Sequence, residues 1–250
     1  MLNVLLNKIS ITKDNTERII LKDIVFELEK NSIFTILGKN GTGKSTLLKS
    51  LTRLLDERFY SVDGKILYND KDILKMNGSE LQKIRREDIK YVFQDPVNSF
   101  DHLKTFKYYF KTLTPLSLLR RGAGGEVKKE IDGLLEFFLL PDSKNLFNMY
   151  PYEVSGGMAQ RISLILALLA KPKIIFLDEP TSGIDAPIVN LLLIKLREFV
   201  KEGNAVLMVT QDIELARNVS NKIALLYDST LSKFSKPDEF FHLNPLMAEI

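Results

Sequence analysis

The chain has 250 residues, of which 45% are apolar, which suits a folded domain with a buried core and excludes a fibrous or wholly disordered protein. Lys and Arg number 35 against 32 Asp and Glu, and the net charge of +3 is too small to indicate a nucleic-acid-binding surface. Because cysteine is absent, disulfides, thiolate metal sites, iron–sulfur clusters and cysteine nucleophiles are excluded.

The first third of the chain is rich in strand patterns. Alternating or continuous apolar residues predict strands over 4–11, 19–28, 33–37, 65–68 and 89–93. Turns are expected at 30–32 and at Asp63-Gly64, and Ser79 is the expected N-cap of a short helix. A glycine-rich loop leads from the third strand into a helix that starts at Gly43.

The segment from about residue 95 to 158 is predicted to be helical and irregular, with a loop at 120–125. Four aromatic residues between 106 and 110 are expected to pack within it, and the basic pairs 85–86 and 120–121 to lie on solvated faces. After residue 155, helices alternate with apolar strands at 173–177, 205–209 and 222–226. This alternation predicts an α/β fold with a parallel sheet covered on both faces.

No stretch of the sequence is long enough to cross a bilayer. The longest uncharged, mainly apolar run, residues 162–170, has about half the required length. The first residues contain neither a basic leader nor a cleavable apolar segment of signal-peptide length. We therefore expect a cytoplasmic protein.

Residues 38–45, G-K-N-G-T-G-K-S, match the phosphate-binding pattern G-x-x-x-x-G-K-[ST] between a strand and a helix. In such a loop successive amides point inward at the phosphates of a nucleotide. Lys44 is expected on the β and γ phosphates and Ser45 in the shell of a Mg²⁺ ion, whereas a chance glycine turn is the alternative. The loop residues assigned to nucleotide binding are Gly38, Asn40, Gly41, Thr42, Gly43, Lys44, Ser45 and Thr46.

Two adjacent carboxylates, Asp178 and Glu179, follow the apolar run 174–177. The carboxyl end of a buried parallel strand is where such sheets place ligand contacts. Asp178 is expected to hold the Mg²⁺ through water, and Glu179 to polarise a water toward the γ phosphate. Alone, the pair fits helix capping equally well, but the phosphate loop upstream favours ligand binding.

Residues 152–161, Y-E-V-S-G-G-M-A-Q-R, closely resemble the signature loop L-S-G-G-x-x-Q-R of the nucleotide-binding subunits of ATP-binding-cassette (ABC) transporters, with valine in place of leucine. Gln94, in Y-V-F-Q-D-P, resembles the glutamine of the family's Q-loop, and Asp185, in S-G-I-D, the aspartate of its D-loop. The resemblance extends from the strands before the phosphate loop to about residue 240.

This resemblance implies a single domain over 1–250, with a RecA-like P-loop NTPase core and an antiparallel β subdomain at about 1–94 and 159–250, and an inserted helical subdomain at about 95–158. It implies that ATP and Mg²⁺ bind in a head-to-tail dimer, where each phosphate loop is covered by the partner's signature loop. The residues assigned to that covering surface are Ser155, Gly156, Gly157, Gln160 and Asp185. Gln94 joins Ser45 and Asp178 as a metal residue, and Glu179, Gln211 and Gln94 form the catalytic set.

The resemblance also implies partners and a location. It implies transmembrane permease subunits, a substrate-binding protein, and a peripheral position on the inner face of the cell membrane. The motifs Q-D-P-x-x-S-F and Y-P-Y-E-V-S-G-G-M-x-Q-R are most similar to those of peptide and nickel importer ATPases, so import of a peptide, nickel or a metal chelate is expected. A soluble or signalling ABC ATPase and an ATP sensor with little turnover are the alternatives.

Two positions depart from the family pattern. Gln211 stands where the family has a histidine that contacts the γ phosphate, and losing such a contact costs roughly 10² to 10³ in rate. Slow hydrolysis is therefore expected, unless Glu179 does most of the work. The aromatic that stacks on adenine is absent, and the stem of Lys13 is expected to cover the base. An ATP site that keeps Glu179 but lacks the histidine indicates that the chain pairs with a different ATPase subunit. A homodimer is the alternative.

Overall fold

The computed structural model describes residues 1–14, 16–113 and 124–244, and within them the strands form two sheets. The strands are β1 (Leu2–Lys13), β2 (Thr16–Leu28), β3 (Ser32–Leu37), β4 (Tyr60–Tyr68), β5 (Lys71–Asp72), β6 (Ile89–Val92), β7 (Ile174–Asp178), β8 (Ala205–Thr210), β9 (Lys222–Tyr227) and β10 (Thr230–Leu231). The α-helices are α1 (Lys44–Ser50), α2 (Gly78–Glu87), α3 (Pro96–Ser99), α4 (Phe106–Leu113), α5 (Gly124–Phe137), α6 (Ser143–Leu146), α7 (Gly156–Leu169), α8 (Ala186–Lys201), α9 (Ile213–Val219) and α10 (Pro237–Leu243).

The larger sheet has the strand order β10-β9-β3-β8-β7-β6. Its strands are parallel except β10, which pairs antiparallel with β9. Strands β3, β7 and β8 are buried along their whole length, as continuous apolar runs in a two-sided sheet should be. The predicted parallel α/β sheet is confirmed, and the carboxyl ends of β3, β7 and β8 meet at one edge.

The smaller sheet is antiparallel, in the order β2-β1-β4-β5. It packs with α1 on one face of the parallel sheet, where side chains such as Phe34 and Phe176 share a core with Leu47. The other face is covered by α7, α8 and the helices of the middle segment. Phe106 and Phe110 are buried in this second core, as expected, whereas Tyr108 is 49% exposed.

The predicted turn at Asp63-Gly64 is wrong, because both residues lie inside β4. The register between β1 and β4 shifts between Leu6 and Lys8, opposite Gly64, whose φ is +133°. A bulge with a positive φ favours glycine just as a turn does, so the sequence pattern alone does not distinguish the two. The predicted turn at 30–32 is confirmed, and within it Asn31 has a left-handed backbone with φ of +58°.

Three smaller expectations also fail. Asn77, not Ser79, caps α2, because its side chain accepts from the amide of Glu80, whose carboxylate accepts from the amide of Asn77. Arg85 is not simply solvated, since its guanidinium donates to the main-chain oxygens of Thr52 and Arg53. The loop predicted at 120–125 ends sooner, because α5 already includes Gly124 and Gly125; residues 120–123 lie outside the described residues.

Near the C-terminal end of the described chain, α10 was not predicted. Its aromatics Phe240 and Phe241 are buried against Leu37 and Ile223, so this segment is anchored at least to Phe241. Over the ranges that the structure describes, no helix combines the length and apolarity needed to span a membrane.

We expect Gly64→Ala to lower the free energy of unfolding by about 2 kcal/mol or more. A Cβ at this position would lie 2.2 Å from the carbonyl oxygen of Leu5, and φ is +133°. Gly133→Ala is the matched control: it lies within α5 with no atom within 4 Å of the added Cβ, so it should stabilise by up to about 1 kcal/mol. Urea unfolding measures both, and equal stability of Gly64→Ala and wild type would contradict the role of this bulge.

Candidate functional site

The loop between β3 and α1 is shaped by its glycines. Gly41 and Gly43 have φ angles of +79° and +99°, which side-chain-bearing residues rarely adopt. A Cβ on Gly38 would lie 2.9 Å from the carbonyl oxygen of Leu226 and equally close to Oγ1 of Thr42. The loop therefore curls tightly against β9 and leads directly into α1.

Lys44 is held inside this loop, with only 5% of its surface exposed. Its ammonium donates to the main-chain oxygens of Gly38 at 2.7 Å and Lys39 at 3.1 Å. It also lies 3.1 Å from Oε1 of Glu179. The charge of Lys44 is therefore placed at the centre of the loop by three oxygen atoms.

Asp178 ends β7 and is almost fully buried. Ser45 Oγ donates to its Oδ1 at 2.9 Å, and Tyr91 Oη donates to its Oδ2 at 2.7 Å. Burial raises the pKa of Asp178, and these two donors oppose that shift. The structure thus brings the predicted metal residues Ser45 and Asp178 into direct contact.

Glu179 follows Asp178 with an unusual positive φ of +48°. Its Oε2 accepts from Oγ1 of Thr210 at 2.9 Å and from the amide of Gln211 at 3.2 Å. The side chain of Gln211 is exposed and makes no recorded hydrogen bond within the described ranges. Position 211 therefore contacts the predicted catalytic glutamate through its main chain rather than through its side chain.

A cavity of about 550 Å³, which we call the phosphate cavity, joins most of these residues. The residues that line it are Ile11, Arg18, Ile20, Asn40, Gly41, Gly43, Lys44, Ser45, Thr46, Gln94 and Glu179. Gly38, Thr42 and Asp178 support the lining from behind, since Gly38 binds Lys44, Thr42 donates to the oxygen of Lys39, and Asp178 binds Ser45.

The signature residues that the family resemblance assigned lie outside the phosphate cavity. Ser155, Gly156, Gly157, Gln160 and Asp185 line a second cavity of about 810 Å³, which we call the signature cavity. Gln94 is the predicted site residue that lines both cavities. A single chain therefore separates its signature residues from its own phosphate loop.

Several groups in the signature cavity have unused hydrogen-bonding capacity. Ser155 caps α7 by accepting from the amide of Met158, and the carboxylate of Asp185 makes no capping bond at the start of α8. The amide of Gln160 is buried, and within the described part of the chain its Oε1 has no hydrogen-bond partner.

The structure also reveals residues that the sequence analysis missed. Lys13 is not among the residues that line the phosphate cavity, and its expected role over the base stays a prediction; Ile11, Arg18 and Ile20 line the cavity instead. Ile11 and Arg18 are direct cross-strand partners in β1 and β2, and Arg18 forms no recorded ion pair among the described residues. Alternation along the strand places residues 18 and 20 on the same face of β2. The sequence alone does not show that the phosphate loop lies against that face.

The oxygen-bearing side chains at this site fit the ligand preferences of a magnesium ion. Mg²⁺ prefers oxygen ligands, commonly one or two protein groups together with phosphate oxygens and water. Ser45 lines the phosphate cavity, Asp178 Oδ1 lies directly behind it and accepts from Ser45 Oγ, and Gln94 lines the same space. Across the described ranges, no group of three or more His, Cys, Asp or Glu residues forms a separate metal cluster.

Comparison with known proteins gives consistent relatives. A family model described as ABC transporter matches residues 21–182. The oligopeptide transport ATP-binding protein OppD of Bacillus subtilis is 29% identical over 89% of this chain and 62% of its own length. The phosphate import ATP-binding protein PstB of Saccharolobus solfataricus is 36% identical, covering 90% of this chain and 85% of PstB. This chain spans between 62% and 71% of the length of the OppD relatives it matches.

A solved structure gives the same fold. The ATP-binding cassette MJ0796, in a dimeric post-hydrolysis state bound to ADP and Pi, matches with a TM-score of 0.77 and 28% identity. The match covers 95% of this chain and 99% of that one. The predicted α/β fold with a RecA-like P-loop NTPase core is confirmed.

We expect Arg18→Ala to weaken ATP binding about ten-fold, because a planar guanidinium beside Ile11 and Ile20 can stack on the base. Displacement of a fluorescent ATP analogue by ATP and by inorganic tripolyphosphate measures the effect. Tripolyphosphate should be affected little, since Lys44 rather than Arg18 occupies the centre of the phosphate loop. Lys13→Ala is the control and should change neither value. Equal weakening of both probes in Arg18→Ala would instead place Arg18 on the phosphates.

Proposed function

We propose that this chain, which belongs to the ABC transporter family, is the ATP-binding subunit of a peptide importer and hydrolyses Mg·ATP between itself and a second ATPase subunit. One observation carries the proposal. Lys44, Ser45 and Glu179 surround one cavity, while Ser155 and Asp185 face a different cavity of the same chain. Each chain therefore holds two halves of a site, and the halves are complementary.

The second subunit completes the site in this proposal. Its own Ser-Gly-Gly loop would cover the nucleotide held by Lys44, and its phosphate loop would receive Ser155 and Gly157 of this chain. A Cβ on Gly157 would lie 3.1 Å from the carbonyl oxygen of Gly183, so glycine at this position lets the signature loop pack closely on Gly183 of the same chain. The expected assembly is a heterodimer, with a homodimer as the alternative. Within this chain, residues of about 95–158 form the proposed helical subdomain.

The reaction follows from the contacts of Glu179. Phosphate oxygens that enter the cavity compete with Glu179 for the ammonium of Lys44, which frees Oε1 while Thr210 and the amide of Gln211 continue to hold Oε2. Glu179 then accepts a hydrogen bond from a water that attacks the γ phosphorus. A bond forms from the water oxygen to the γ phosphorus, the bond from phosphorus to the bridging oxygen breaks, and ADP leaves with that oxygen, while Glu179 takes the proton that the water gives up. Ser45 and Asp178 would hold Mg²⁺, which when bound would neutralise part of the phosphate charge.

The importer part of the proposal rests on the relatives and on one surface. The motifs around Gln94 and Ser155 are similar to those of peptide and nickel importer ATPases, and the relatives named as oligopeptide transport ATP-binding proteins favour a peptide as the substrate. An apolar groove of about 420 Å³ offers a contact for a permease. Its lining residues are Thr52, Leu54, Arg85, Ile89, Lys90, Tyr91, Phe93, Ser99, Phe100, Tyr108, Tyr109, Thr112, Leu113, Ser163, Leu166 and Ala167. The chain would thus work at the inner membrane face, with permeases and a substrate-binding protein as partners.

A mixing experiment tests the shared site. Lys44→Ala removes the phosphate contact and Ser155→Arg blocks the signature surface, so we expect each variant alone to lose at least about 100-fold in ATP hydrolysis. In an equal mixture of the two variants, a dimer that contains one of each keeps one intact site, and about a quarter of wild-type turnover should return. Turnover no greater than the sum of the separate variants would contradict a site shared between copies.

The same pair of variants also tests pairing with a different subunit. If wild type hydrolyses ATP only with a second, different ATPase subunit, each variant is combined with that subunit. Lys44→Ala then removes one site and Ser155→Arg the other. Unequal losses would reveal which of the two sites carries the turnover.

We expect Gln211→His to raise turnover at saturating ATP by roughly 10²-fold while ATP affinity stays unchanged, because histidine can carry a proton and a positive charge near the γ phosphate. Gln211→Ala is the control and should differ little from wild type, since the side chain of Gln211 is exposed. Steady-state hydrolysis and equilibrium binding separate the two effects. An unchanged rate in Gln211→His would show that Glu179 works without this contact.

A further inference from the structure

Tyr91 touches two separate features of the molecule. Its hydroxyl donates a 2.7 Å hydrogen bond to Oδ2 of Asp178, behind the phosphate cavity. Its ring packs on that of Phe93, with centroids 4.4 Å apart, and forms part of the wall of the apolar groove. One side chain therefore connects the groove to the carboxylate assigned to the metal.

The hydroxyl fixes how Asp178 is oriented. Ser45 of α1 donates to Oδ1, and Tyr91 of β6 donates to Oδ2, so donors from two elements define the plane of this carboxylate. Burial and the nearby charge of Asp178 raise the pKa of Tyr91, so the hydroxyl stays protonated and remains a donor. A phenylalanine would keep the ring contact with Phe93 and lose only the bond to Asp178.

We propose that Tyr91 is a positioning residue: it turns Asp178 so that Oδ1 serves Mg²⁺ beside Ser45, and it makes that orientation depend on contacts in the apolar groove. The dependence follows from geometry, because a shift of the ring by about 1 Å would stretch a 2.7 Å bond beyond hydrogen-bonding range. This inference rests on the proposed function, in which Asp178 serves Mg·ATP.

The first test measures how binding of a fluorescent ATP analogue depends on Mg²⁺ concentration. Tyr91→Phe should raise the Mg²⁺ midpoint about ten-fold, as loss of a partner of a metal residue commonly does, and saturating Mg²⁺ should restore binding. Tyr109→Phe is the matched control. Its hydroxyl lies in the same groove but bonds to the main chain of Asp101, so the midpoint should stay at the wild-type value.

The second test measures the link to the groove. Because the chain has no cysteine, Thr112→Cys gives a single attachment point in the groove wall for an environment-sensitive dye. Saturating Mg·ATP should change the dye's emission, and Tyr91→Phe should remove most of that change while Tyr109→Phe preserves it. A dye response that survives in Tyr91→Phe would overturn the link.

The outcomes separate this inference from the proposed function. If wild type binds the analogue and Tyr91→Phe shows an unchanged Mg²⁺ midpoint, positioning by Tyr91 is overturned, even where thermal unfolding shows a lower melting temperature. If wild type fails to bind the analogue at any Mg²⁺ concentration, the proposed function itself fails.

Discussion

The chemistry of this molecule depends on the register of three parallel strands. In β3, β7 and β8, Leu37 pairs with Thr210 and Asp178 with Val209, so the residues that follow the three strands emerge side by side. The phosphate loop, the two carboxylates and the Thr210-Gln211 pair are therefore brought together by main-chain pairing rather than by long side chains. Because the strands beneath them are fully buried, this edge is held rigidly.

A buried ion pair sits at the centre of that edge. Lys44 and Glu179 are each more than nine-tenths buried, and an unpaired charge at such depth costs several kcal/mol. The two side chains compensate each other, and the carbonyl oxygens of residues 38 and 39 share the ammonium. In the proposed reaction, entry of a phosphate would exchange one anionic partner of Lys44 for another, and this exchange would free Glu179 to act on water. Binding and the availability of the base would then be coupled through one ammonium group.

The sequence predicted the parts of the fold and site that depend on short continuous patterns. The parallel strands were recognisable because both faces are covered, and the residues of the phosphate cavity because glycine, lysine and serine follow a buried strand. The predictions failed where one residue pattern is compatible with two structures. Glycine at position 64 suits a bulge as well as a turn, and Ser79 and Asn77 are both residue types that cap helices. Arg18 and Tyr91 were missed because their roles depend on contacts between distant segments.

Strand β6 shows why such contacts matter for the proposed coupling. Tyr91 binds Asp178 from within the strand, and three residues later Gln94 lines both the phosphate and the signature cavities. Since β6 is paired with β7, which carries Asp178, the short segment from Tyr91 to Gln94 cannot move as a unit without changing the surroundings of that carboxylate. The segment also forms the wall of the apolar groove through Tyr91 and Phe93. In the proposed coupling, a contact made there would act on a segment of only four residues, in which the hydroxyl of Tyr91 reaches Asp178 and the side chain of Gln94 reaches both cavities.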